Sequence, residues 1–244
     1  MSRGVPLQSP DRNHSDHHSA TPRNEGLRRY SVAHFLIALV VLLLGMPFVA
    51  ELEHGRLIES AIFTVVLLSG VAAVGGRRRT LIIAALLLAP AAITRWVDHF
   101  QPGPTPRVFT ILAISAFLIF VLLNLFRFIL HAPHVNSEVV CAGISGYLVL
   151  GILWAMAFLL VARTYPGSFA FSGGAAGETL DGYNAIYLSF GSLSTLGFTE
   201  VVPISRQARM MAVFEALSGM FYVATLISRL VALYSRRATG DIHE

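Results

Sequence analysis

The chain has 244 residues, 55% of them hydrophobic and 13% charged, where soluble domains carry roughly 25% charged residues. Long stretches with neither charge nor a surface period exclude a large soluble domain and put most of the chain in lipid. The net charge is only +4 and every one of the 18 basic residues is Arg, so their placement matters more than their sum. Cys141, the one cysteine, sits in an apolar stretch and reads as a small buried hydrophobe, with no disulfide available within one chain.

Residues 1–28 are polar, rich in Ser, Pro, Asn and His, and hold no apolar run, so a disordered cytoplasmic tail is expected. His14, His17 and His18 lie in it, but a flexible tail without Cys or ordered carboxylates makes a poor metal site. The segment is not a signal peptide, because no small-residue cleavage site follows the first apolar run.

Six long apolar segments follow, at residues 31–50, 57–74, 80–94, 108–130, 139–162 and 208–234. A spanning helix needs about 20 residues; the third segment is short and carries Pro90. The expected fold is therefore an all-α membrane protein of six transmembrane helices. Residues 29–136 form a four-helix transmembrane domain, 137–237 a pore domain and 238–244 a short cytoplasmic tail. With the N-terminus inside, eleven Arg fall on the inner side and six on the outer, Arg229 within the last span being uncounted. The positive-inside rule then places both termini in the cytoplasm of a cell-membrane protein.

The stretch between the fifth and sixth segments is not an ordinary loop. After a Gly- and Ser-rich run, Asp181 stands as an N-cap before the apolar residues 183–194. A dozen residues is too short to span but suits a re-entrant half-helix. Directly after it come Thr195, Leu196, Gly197, Phe198, Thr199 and Glu200, then Val201, Val202 and Pro203.

Here the chain resembles the bacterial tetrameric potassium channel family, whose signature Thr-Val-Gly-Tyr-Gly-Asp lies between a pore helix and a final spanning helix. Thr195, Leu196, Gly197 and Phe198 match its first four positions with conservative changes, and Pro203 follows the acidic residue by three. Gly219 lies 22 residues beyond Gly197, where the family often has its gating-hinge glycine. The resemblance covers residues 139–234. It implies a homotetramer in the lipid bilayer that conducts monovalent cations, potassium first among them. The ions would be bound at the backbone carbonyls of Thr195, Leu196, Gly197 and Phe198, with Thr199 completing the filter and Glu200 at the outer mouth. No other cofactor and no nucleic-acid partner is expected.

The physics suits these residue types. Carbonyl oxygens can replace an ion's water shell, and backbone at membrane depth is tolerated where it lines a cavity. The Thr195 hydroxyl can add a ring at the inner end, and Gly197 permits backbone conformations that a side chain opposes. The half-helix aims its negative C-terminal dipole at the cavity, and four Glu200 carboxylates would concentrate cations outside it.

The chain also departs from the signature. Thr199 replaces the second glycine, Phe198 lacks the tyrosine hydroxyl, and Gly191 supplies no carboxylate behind the filter. A non-selective cation channel on the same scaffold, or a non-conducting scaffold or sensor with a pore-like fold, are the alternatives. Glu215 inside the last span is costly unless paired, which leaves open a polar contact with the pore helix or a part in conduction. Arg229 is expected to snorkel to the inner interface. Segment four carries only Arg127, at its inner end, so a voltage sensor is not expected in the first four spans. Ten residues follow Tyr234, too few for an attached ligand-binding module. No clustered Ser/His/Asp, Cys/His or metal-spaced set points to an enzyme, and no pair of broken helices points to a transporter.

Overall fold

The computed structural model describes residues 23–50, 55–74, 78–100, 104–132, 136–172, 179–197 and 200–240. Phe198 and Thr199 of the expected filter, and His14, His17 and His18 of the tail, lie outside them. The chain order is α1 (Arg23–Ala50), α2 (Gly55–Val74), α3 (Arg78–Phe100), α4 (Pro104–His131), α5 (Ser137–Thr164), β1 (Phe169–Phe171), α6 (Gly182–Leu193), β2 (Val201–Pro203) and α7 (Arg206–Gly240).

Each of the six apolar segments lies within one helix, and the dozen-residue segment before Thr195 corresponds to α6. Three helices are long and apolar enough to cross a membrane among the described residues: Val108–His131, Ser137–Thr164 and Arg206–Ala232. In α1, α2 and α3 the apolar stretches are shorter, at Val32–Phe48, Ser60–Ala73 and Thr80–Pro90. Seventeen residues rise about 25 Å, short of roughly 30 Å of hydrocarbon.

Helices suit an apolar solvent because they satisfy their backbone groups internally. The few polar side chains in them do the same. Thr64 Oγ1 donates to Ser60 O, Ser115 Oγ to Ile111 O and Asn124 Nδ2 to Phe120 O, each at 2.7 Å and each one turn back.

α1 packs on α2, α2 on α3 and α3 on α4, while α5 meets α4 and α1 on one side and α6 and α7 on the other. Phe35, Leu39, Leu67 and Phe117 close the core of the first four helices. The outward faces are equally apolar. Leu44, Leu86, Phe109 and Phe221 are 67%, 71%, 67% and 69% exposed, a surface that water would not tolerate on this scale.

One element escapes the sequence reading. β1 and β2 pair antiparallel, with Phe169 opposite Pro203, Ala170 opposite Val202 and Phe171 opposite Val201. The ribbon extends at both ends through Ser172 N to Glu200 O, 2.7 Å, and Ile204 N to Ser168 O, 2.8 Å. It ties the chain before α6 to the chain that follows Glu200, and so fixes both ends of that excursion.

Candidate functional site

α6 is held at both ends. Asp181 is its N-cap, as the sequence predicts: the carboxylate accepts from Asn184 N at 2.7 Å, satisfying one of the first turn's free donors. At the C-terminus, Leu196 N donates to Gly191 O and Thr195 N to Ser192 O, both at 3.0 Å. These are the paired bonds of a Schellman cap, and they place Thr195 at its left-handed position, with φ 58°. Glycine normally fills that position, and a β-branched residue there carries strain of roughly 1–3 kcal/mol.

Gly197 follows with φ 72°, and its N–H also reaches Gly191 O, at 3.1 Å. Residues 195–197 therefore wrap the last turn of α6, and all three are exposed. The Thr195 hydroxyl donates to Ser194 O at 2.7 Å. Glu200 is exposed, held by its backbone through the bond from Ser172. Thr195, Leu196, Gly197 and Glu200 thus come together at one end of α6, near the ribbon; Phe198 and Thr199 complete the sequence between them.

The last spanning helix presents a polar face to its neighbours. Trp154 Nε1 of α5 donates to Ser218 Oγ at 3.0 Å, and Ser218 Oγ donates to Glu215 O at 2.8 Å. Tyr222 Oη donates to Gly143 O of α5 at 2.8 Å. Glu215 is fully buried, and its Oε1 is hydrogen-bonded to Ser189 Oγ of α6, which also donates to Gly151 O of α5 at 2.7 Å. The carboxyl therefore makes a polar contact with α6, the first of the two roles left open for it.

Gly219 lies on the same face. A Cβ built there would overlap Leu193 O, the backbone of the last turn of α6, and would lie 3.0 Å from Leu193 Cδ1. Gly219 is thus a point where α7 passes close to the last turn of α6. Small residues on α5 act alike: a Cβ at Gly151 would lie 2.6 Å from Phe190 Cζ, and one at Gly143 2.9 Å from Leu226.

Arg229 reaches back to a distant helix. Its Nη2 donates to Leu130 O at 2.6 Å and Ala132 O at 3.1 Å. It caps the C-terminus of α4, because the last carbonyls of a helix lack internal partners and attract a cation. Arg127 is exposed. The sequence reading missed Ser189, Trp154, Ser218 and Tyr222. The available signal was the spacing of Glu215, Ser218 and Tyr222, which puts three polar groups on one face of an apolar helix.

Among the described residues no group of three or more His, Cys, Asp or Glu could hold a metal ion.

Residues 146–236 match the family described as Ion channel. The chain is also similar to the inward rectifier potassium channel Kirbac3.1 of Paramagnetospirillum magnetotacticum, 29% identical over 98 residues. That alignment covers 38% of this chain and 29% of the relative, so the chain spans less than a third of that protein's length. No solved structure matches the chain. Both matches are to channels and not to enzymes, and the similarity falls on residues 146–236, from α5 through α7.

Proposed function

We propose that four copies of this chain form a cation channel that conducts potassium passively, with C4 symmetry and one filter strand from each chain. The observation that carries this reading is α6: a 12-residue helix capped at both ends, set between two helices of spanning length, with exposed Thr195–Gly197 at its C-terminus. Twelve residues rise about 18 Å, enough to enter a bilayer and not to cross it. In this reading α6 is the re-entrant pore helix and α1–α4 complete a six-span, multi-pass protein with both termini in the cytoplasm. Thr195, Leu196, Gly197, Phe198 and Thr199 form the filter, with potassium ions at the first four carbonyls. Glu200 rings the outer mouth, and Gly219 is where α7 bends on gating. The relative's description as a potassium channel supports potassium as the cargo.

Thr199 favours a second reading on the same scaffold, a non-selective monovalent cation channel, because a β-branched residue opposes the left-handed backbone that the signature's second glycine allows. Flux into liposomes holding the purified protein, across a series of monovalent cations, decides between them. Potassium far ahead of sodium is expected; equal rates favour the second reading. No flux, or a particle that is only a monomer or dimer, refutes the channel.

A further inference from the structure

Glu215 is fully buried within α7, and its Oε2 has no hydrogen-bond partner. An ionised carboxylate in such a place is expensive unless a cation or several donors face it. Two arginines of α7 bond elsewhere: Arg209 Nε reaches Pro203 O at 3.3 Å, and Arg229 caps α4. The group that Glu215 does meet is the Ser189 hydroxyl, itself fully buried.

That hydroxyl has one proton and two oxygen neighbours, Gly151 O and Glu215 Oε1. Gly151 O is a backbone carbonyl and can only accept. If Glu215 were ionised it too could only accept, and one of the two close oxygen pairs would have no proton between its members. Both contacts are satisfied at once when the carboxyl carries a proton. The chain of donors then runs from Glu215 Oε1–H to Ser189 Oγ, and from Ser189 Oγ–H to Gly151 O. The unpartnered Oε2 is then an uncharged carbonyl oxygen, whose burial costs far less than that of a shared negative charge.

From this geometry we propose that Glu215 is held as a neutral carboxylic acid and is a positioning residue for the pore helix. Through one hydroxyl it joins α7, α6 and α5, at a level six residues before Thr195 in the chain. The proposal rests on the channel reading for what is positioned, but not for the protonation state. Gly191 places no side chain behind the filter, so the brace comes from the facing helix instead.

Infrared difference spectra of the full chain in lipid, wild type minus Glu215→Gln, test the proton directly. The C=O stretch of a protonated acid is expected, lost in Glu215→Gln and shifted in Ser189→Ala, which removes its partner. A pair of carboxylate bands in its place overturns the proposal. Cation flux in liposomes tests the positioning. An amide can donate to Ser189 Oγ as the acid does, so Glu215→Gln should keep the order in which cations permeate. Glu215→Ala and Ser189→Ala should change that order or lose flux. Equal defects in Glu215→Gln and Glu215→Ala, with the tetramer intact, would show that a charge is required and overturn the brace. Absence of flux in the wild type defeats the channel reading, while the infrared band still decides the state of the carboxyl.

Discussion

Replacing Gly219 by Ala separates two physical effects that the structure sets against each other. In a bare helix the change is favourable by roughly 1 kcal/mol, because glycine weakens helical backbone. In this fold the new Cβ would overlap Leu193 O and press on Leu193 Cδ1 and Cγ, 3.0 and 3.1 Å away. A flexible side chain could rotate aside, but the carbonyl belongs to the last turn of α6 and can yield only if the two helices part. Overpacking of this kind costs about 1–3 kcal/mol, so the net effect is destabilising by about 1 kcal/mol. For a chain of this length that is a fall in Tm of about 2–4 °C. Because Leu193 lies two residues before Thr195, the same displacement should alter cation flux. Thermal unfolding of the purified protein in one lipid composition, paired with single-channel recording, measures both. A higher Tm with unchanged flux would refute the reasoning, since only the intrinsic helix preference would then be acting. A lower Tm with normal gating would keep the close contact and remove the hinge.

Thr195→Gly relieves the left-handed strain at the Schellman cap and should raise Tm, whereas Thr195→Ala keeps the strain; a gain of roughly 1 kcal/mol for Gly over Ala is expected. Asp181→Ala removes the N-cap of α6 and should cost about 1 kcal/mol in thermal or denaturant unfolding, with Asp181→Asn restoring most of it. Arg229→Met keeps the aliphatic stem but frees Leu130 O and Ala132 O, and should lower stability by about 1–2 kcal/mol; an unchanged Tm would mean that the bond to α4 is not held in lipid. Thr199→Gly should sharpen potassium over sodium in reversal potentials, and an unchanged ratio would show that Thr199 already adopts the conducting backbone.

Local features of the sequence were legible where a short window contains the cause. The membrane character follows from composition, since no arrangement of these apolar stretches could be covered by so few charged residues. The start of α6 was readable because a cap acts within three residues, Asp181 on Asn184. Its length was readable because Thr195 to Glu200 interrupt the apolar pattern. The ribbon was not, since three-residue strands leave almost no period and pair across the whole of α6.

By itself, then, the sequence determined the helical segments, the membrane setting and the half-helix followed by Thr195, Leu196 and Gly197. Each depends on the chain's own neighbours or on the cost of placing polar groups in lipid. Tertiary structure alone decided what the polar residues of α7 do. Glu215 meets Ser189 across 26 residues of sequence, Trp154 meets Ser218 across 64, and Arg229 reaches Leu130 across 99. Nothing local shows that Arg229 caps a distant helix or that Gly219 admits a carbonyl. Those roles are set by which helix lies opposite, and that follows from how α4, α5, α6 and α7 pack together.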